Sequence, residues 1–287
     1  MGIDRWIKKN TTSLKGKTVV ISGSTGGLGM ELCRYLCDLD ASLILLDRNS
    51  EKSLALAADL RRRNPDVDVE HLRADMADIS SVRAAADLLC EREIDYLILN
   101  AGAYSIPRYK TDLGYDNVFQ INFISPYYLA RRLLPKISDR GGKIVAVGSI
   151  AHNYSHIDEN DVDFTTRGQA SLVYGNAKRF LTYSLFAMGS DVVSVAHPGI
   201  SFTGITNHYP PLIFALIKHP MKIIFMPARR ACLSILYALF SECNPGEWIG
   251  PWLFDVWGLP LRKRLRSASK SEAEKIASIA NKIYREI

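Results

Sequence analysis

Apolar and polar positions along the chain fall into two alternating kinds of run. KTVVIS (17–22), SLILL (42–46), VDVEHL (67–72), DYLIL (95–99), KIVAVG (143–148) and VVSVA (192–196) are short and rich in β-branched residues, as strands are. Several are apolar throughout, the pattern of strands covered on both faces. Between them apolar positions recur at helical spacing near 27–38, 50–63, 79–91, 112–134 and 170–188, with Ser80 and Asp112 as start signals. A helix at 228–241 and a seventh strand at 252–257 continue the alternation. The reading is α/β: a doubly wound, parallel sheet, seven-stranded. There is no internal repeat, low-complexity tract or linker, so residues 1–287 are expected to form a single domain.

Two places break the rhythm. After Ala196 comes HPGISFTGITNHYPPLIFALIKHPMKIIFMP, and a long excursion of that kind usually carries function; a substrate lid is expected near 200–226. The second is a tail at 258–287, ending in an amphipathic helix. Its apolar face of Ile276, Ile279, Ala280 and Ile283 can cover the body or a partner.

Directly behind the first strand stands SGSTGGLG (22–29). Such a turn is either merely loose, or brings backbone so close to something that a Cβ would collide. In an open α/β sheet, ligands bind beyond the carboxyl ends of the strands, and a helix start there suits a pyrophosphate. This is the Rossmann-type arrangement, although the spacing G-x-x-x-G-x-G departs from G-x-G-x-x-G. Asp47, ending the second strand, can accept from an adenosine ribose or cap the following helix. Further on, YGNAK places Tyr174 and Lys178 on one helix face. A nearby ammonium favours phenolate, which makes Tyr174 a candidate acid/base. A chain with 13 tyrosines and about 5% lysine carries nearly one such spacing by chance.

Taken in order, these motifs resemble the short-chain dehydrogenase/reductase family over residues 15–205. Gly23, Gly27 and Gly29 match its glycine turn, and Asp75 in ADM an Asp turn after the third strand. LNAG (Asn100, Ala101, Gly102) matches the turn after the fourth strand, Asn122 a helix asparagine, and Ser149 the serine after the fifth. Tyr174 and Lys178 match Y-x-x-x-K, and Pro198, Gly199 and Thr203 a Pro-Gly turn. SIAH, DVDF (161–164) and HPG most resemble the retinol-dehydrogenase-like members. Ser22, Leu99, Gly148 and Ser201 depart from the usual residues.

The resemblance implies a catalytic tetrad. Tyr174 would exchange the proton, Ser149 hold the substrate oxygen, Lys178 bind the nicotinamide ribose and lower the Tyr174 pKa, and Asn122 support a relay water. The cofactor set it implies is Gly23, Ser24, Thr25, Gly27, Leu28, Gly29, Asp47, Arg48, Asp75, Met76, Asn100, Ala101, Gly102, Tyr174, Lys178, Pro198, Gly199 and Thr203. NAD is favoured over NADP, because Asp47 would repel a 2′-phosphate, although Arg48 could embrace one. Tyr104, Ile106, His152, Tyr154, Phe202 and Tyr209 are expected to bind substrate. Their apolar character points to a hydrophobic alcohol or ketone, steroid-, retinoid- or lipid-like. The alternatives are a catalytically silent dinucleotide-binding regulator, a reductase of small polar carbonyl compounds, and a sugar-nucleotide epimerase; an intact tetrad and a short C-terminal part argue against the first and last. The family also implies a homodimer or homotetramer.

Composition alters this picture little. The net charge of +6 is spread out, with RKRLR (262–266) its densest run, so no nucleic-acid partner is expected. That run, with Lys218 and Lys222, allows a weak peripheral membrane contact. The five cysteines form no CxxC pair and no metal spacing with histidine, and His152, His156 and His208 are not read as ligands. A cytoplasmic protein with free buried thiols is expected.

Overall fold

The computed structural model describes residues 2–200, 226–242 and 244–287. Expectations that fall on Ser201, Phe202, Thr203, His208, Tyr209, Lys218, Lys222 and the interior of the lid therefore lie outside the described residues.

Val19, Val20 and Ile21 have no exposed surface, because β1 (Thr18–Ser22) lies inside the sheet with helices over both faces. The sheet runs β3–β2–β1–β4–β5–β6–β7–β8. Its members are β2 (Ser42–Asp47), β3 (Val69–Arg73), β4 (Tyr96–Leu99), β5 (Lys143–Val147), β6 (Val193–Ala196), β7 (Glu247–Leu253) and β8 (Trp257–Arg264). All neighbours are parallel except β7 and β8. The strand order reverses between β1 and β4, which opens a crevice at their carboxyl ends.

On one face α4 (Ile79–Cys90), α6 (Ser125–Asp139), α7 (Ala170–Phe186) and α9 (Lys270–Glu286) bury a core through Phe119, Phe123 and Phe180. On the other α2 (Gly27–Asp38), α3 (Ser50–Arg63) and α8 (Ala228–Phe240) pack around Leu32, Leu36 and Leu236. Each such side chain contributes roughly 1.5–3 kcal/mol of burial. The tail helix α9 lies on the body, with Ile276, Ala280 and Ile283 buried against the first core.

Four expectations change. The expected strand at 252–257 straddles a hairpin: β7 ends at Leu253, Phe254 and Asp255 turn with φ of 51° and 59°, and the chain returns from Trp257 as an eighth strand. The tail is accordingly part strand, part helix. The start signals shift to Asp78, whose carboxylate accepts from the N–H of Ser80 and Ser81, and to Asp116, which caps the short α5 (Asn117–Phe119). An unexpected α1 (Ile3–Asn10) is anchored by buried Trp6 against Tyr237. The basic run is also partly neutralised, since Arg262 pairs with Glu247 and Lys263 with Asp255. No helix among the described residues is long and apolar enough to cross a membrane.

Candidate active site

The glycine turn is tight rather than loose. Gly23 takes φ +69°, and a Cβ on it would stand 2.8 Å from Ala101 Cα; a Cβ on Gly29 would overlap the Gly23 carbonyl. Gly27 begins α2, no side chain caps that helix at Gly26, and Leu28 roots its first turn in the core. The first amide N–H groups of α2 and its positive end are thus left for an anion. Asn100 locks the turn, donating from Nδ2 to Ser22 O at 3.1 Å and Gly23 O at 2.9 Å. Ser22 Oγ in return accepts the N–H groups of Asn100 and Ala101, both at 3.1 Å. Serine in place of the usual threonine keeps the hydroxyl that ties the two turns together.

Asp47 is buried at the end of β2. Its carboxylate accepts from Ser24 Oγ, from Ser53 Oγ at 3.1 Å and from Thr25 N–H at 3.4 Å. It does not cap α3; Asn49 does, accepting from the Lys52 N–H at 2.9 Å. Arg48, the next residue, is exposed. Asp75 and Met76 build the turn after β3: the Asp75 carboxylate accepts from Ala77 N–H at 3.0 Å, and Met76 O accepts from Ser125 Oγ at 2.7 Å.

The four tetrad positions come together across β5, α7 and the end of β4. Ser149 follows β5, with its side chain near enough to the Tyr174 hydroxyl to lower its pKa. Lys178 is one helical turn beyond Tyr174 and almost fully buried. Its Nζ donates to Val147 O at 2.9 Å and lies 5.7 Å from the Tyr174 ring centroid. Asn122 sits in a π-helical turn, Gln120–Ile124, a widening common at functional sites. Its Oδ1 accepts from Ala103 N–H at 3.2 Å, while Nδ2 donates to Ala103 O and Val118 O. These elements meet at Gly102, where a Cβ would stand 2.8 Å from Asn122 Oδ1 and 3.6 Å from Lys178 Nζ. The cradle, the uncapped helix and the spare ammonium N–H groups together fit a dinucleotide.

The protonation states correct one expectation. Burial, not Lys178, dominates Tyr174 and pushes its pKa up to about 12, with the Ser149 hydrogen bond working the other way. Burial likewise lowers Lys178 to about 8. At neutral pH the pair is therefore a phenol and an ammonium, poised to give a proton.

The substrate positions divide. Tyr104 stands edge-on to Tyr174, ring centroids 5.4 Å apart, and Ile106 packs in the small cluster of Val118, Phe164, Val173 and Tyr174. His152 and Tyr154 do not join them. His152 is buried against Trp248, with Nδ1 donating to Ser149 O at 2.5 Å. Tyr154 is more than half exposed and borders a groove of about 630 Å³ with His156, Arg167 and Lys275. Pro198 and Gly199 follow β6. Gly199, at φ +82°, passes beside Val256 O, and the Met226 N–H donates to Ile200 O at 2.8 Å, so residues 200 and 226 are held side by side.

Sequence reasoning missed His197, Trp248, Arg179 and Glu272. His197 stacks on Trp248 at 5.6 Å, and its Nδ1 reaches Gly148 O at 3.4 Å. A Cβ on Gly148 would stand 2.6 Å from Trp248 Cζ3, which explains glycine where the family pattern has serine. The S-x-x-E of Ser269 to Glu272 was a readable capping signal for α9; the partners of the other three are set only by tertiary packing.

Comparison with known proteins bears on the family and the fold. The family model described as short chain dehydrogenase matches residues 17–159. Human retinol dehydrogenase 13 is 30% identical over 234 residues, 72% of this chain and 70% of the relative. Mouse retinol dehydrogenase 12 is 30% identical over 280 residues, 93% of this chain and 86% of the relative. The crystal structure of an uncharacterized protein from Mycobacterium paratuberculosis superposes with a TM-score of 0.74 at 25% identity, covering 96% of each chain. On these matches the chain belongs to the short-chain dehydrogenase/reductase family of oxidoreductases, among its retinol-dehydrogenase-like members.

Proposed function

We propose that the chain exchanges a hydride between a nicotinamide dinucleotide, NAD in preference to NADP, and a hydrophobic alcohol or ketone of steroid-, retinoid- or lipid-like character. The observation that carries this reading is that Asn122 and Lys178 meet at the bare backbone of Gly102 while Tyr174 lies beside both Lys178 and Ser149. The nicotinamide, when bound, supplies or accepts the hydride at the substrate carbon.

The chain's own residues do the rest. Ser149 holds the substrate oxygen, and the neutral Tyr174 phenol gives it a proton in reduction or takes one in oxidation. Lys178 keeps two N–H groups beyond its bond to Val147 O, enough for the ribose hydroxyls. The side chain of Asn122 is spent on locking the π turn, so its main-chain oxygen is what it offers a relay water. The residue four further on is Pro126, which has no N–H to occupy that oxygen.

The preference for NAD rests on charge. Asp47 is a buried anion whose partners are hydroxyls and an amide, with no cation among them. A 2′-phosphate beside it would meet like charge, whereas a 2′-hydroxyl would meet an acceptor. The hydrophobic substrate is supported by Tyr104 and Ile106 next to Tyr174.

A panel of steroids, retinoids, long-chain ketones and sugars, run with both cofactors and followed by absorbance of the reduced nicotinamide, tests the reading. Turnover of a hydrophobic ketone or alcohol is expected. Efficient use of a sugar with none of the lipophilic panel would overturn the substrate class. Dinucleotide binding without any turnover would favour the silent regulator.

A further inference from the structure

Glu272 sits at the third position of α9, where an S-x-x-E box would send its carboxylate back to the cap. Ser269 does its half, accepting the Glu272 N–H at 3.1 Å. The carboxylate goes elsewhere. It takes a two-pronged bond from Arg179, Nε to Oε1 at 2.8 Å and Nη2 to Oε2 at 2.6 Å. Arg179 follows Lys178 on α7 and is 1% exposed, so its charge is buried and needs that partner.

The remaining donors of Arg179 reach further. Nη1 donates to His152 O at 2.9 Å and Nη2 to Ser267 O at 2.7 Å. His152 holds Ser149 O twice, from its own N–H at 3.2 Å and from Nδ1 at 2.5 Å. Glu272 Oε1 also accepts the Ile157 N–H at 3.3 Å. The segment that follows β5 is therefore tied to α9 at two points, His152 and Ile157. Against α7 it is pressed so closely that a Cβ on Gly175 would overlap Ala151 O. A chain of bonds runs from α9 through Arg179 and His152 to the backbone of Ser149, whose side chain neighbours the Tyr174 hydroxyl.

We propose that Arg179 and Glu272 are positioning residues: the C-terminal helix, through this ion pair and His152, sets the place of Ser149 against Tyr174. The proposal rests on the reading of Ser149 and Tyr174 given above. Neither residue touches the glycine turn or Asp47, so the effect should fall on turnover and not on dinucleotide affinity.

Three variants of the full chain test it: Glu272→Gln, Arg179→Lys and the apolar pair Arg179→Met/Glu272→Leu. The readouts are kcat, the Kd for the reduced dinucleotide by its fluorescence, thermal unfolding, and amide exchange of residues 149–157. Expected are faster exchange confined to that segment and a kcat lowered about ten- to a hundredfold, as a misplacement near 1 Å produces, with Kd within about twofold. The apolar pair should recover melting temperature, since it removes the buried Arg179 charge together with its partner, but not kcat, because His152 O stays undonated. Recovery of kcat together with melting temperature would overturn the proposal, as would unchanged exchange and kcat in Glu272→Gln. Absence of turnover in the unaltered chain would instead count against the reading of the site. In that case exchange alone decides: unchanged protection of 149–157 in Glu272→Gln overturns the tie, and its loss upholds it.

Discussion

Lys178 Nζ donates to Val147 O at 2.9 Å, which fixes a buried ammonium between the last residue of β5 and the middle of α7. Its position relative to Tyr174 is thus set by the sheet and not by the ribose it would bind. Lys178→Ala should therefore weaken dinucleotide binding and turnover together. Tyr174→Phe should keep fold and binding while kcat falls at least about a hundredfold, the low end of general acid–base effects. Near-normal turnover in Tyr174→Phe would remove the phenol from the mechanism.

The protonation states set a direction for pH. With Tyr174 raised to about 12, the phenol form prevails across the neutral range, so oxidation of the alcohol should quicken as pH rises from 7. Reduction should not. Initial rates in both directions between pH 6 and 10 check this, and identical profiles would contradict it.

Stability should respond to His197. Burial, first among its causes, lowers its pKa from 6.5 to about 4, so the folded state binds fewer protons than the unfolded one between those values. Stability therefore rises with pH through this window and is lost as pH falls towards 4, by on the order of 3 kcal/mol. Urea unfolding at pH 4.5 and 7 should show the loss, and His197→Gln should lessen it. An equal loss in both proteins would assign it to other groups.

Gly148 and Trp248 should be exchangeable only as a pair. A side chain at 148 meets the indole at 2.6 Å, so Gly148→Ser should cost about 1–3 kcal/mol by overpacking. Combining it with Trp248→Leu should return part of that. A melting curve for each single and the double variant measures the coupling; simple additivity would show that the two do not compete for space.

Cofactor choice should turn on a single carboxylate. Asp47→Ser removes the buried anion and leaves exposed Arg48 beside the ribose position, so the ratio of kcat/KM for NADP over NAD should rise by about tenfold or more, the equivalent of 1.4 kcal/mol. An NADP preference already present in the unaltered chain would show that Arg48 outweighs Asp47.

What could be read in advance followed from local rules. Strands such as Val19–Ile21 announce themselves because both faces are covered, and the glycine turn because only Gly23 and Gly29 leave room for Ala101 and for the turn itself. β8 stayed hidden because WGLPLRKR mixes apolar, proline and cationic positions, as a half-exposed edge does. The pairing of Tyr174 with Lys178 was legible, the burial of the phenol was not. The i, i+4 lysine is visible in sequence, whereas the burial that outweighs it depends on Tyr104, Ile106 and the packing of α7. The surroundings of His152 and Tyr154 were illegible for the same reason: which way a residue after β5 faces is decided by Trp248 and α9, a hundred residues away.

The returning hairpin has a consequence for how molecules of this chain can meet. β7 has both its edges occupied, by β6 and by β8, so the outermost backbone belongs to β8. There Pro260 supplies no N–H, and Arg262, Lys263 and Arg264 would set like charge against like charge in a second copy laid alongside. Growth of the sheet from one molecule into the next is disfavoured at this margin, which leaves β3 as the other edge of the sheet.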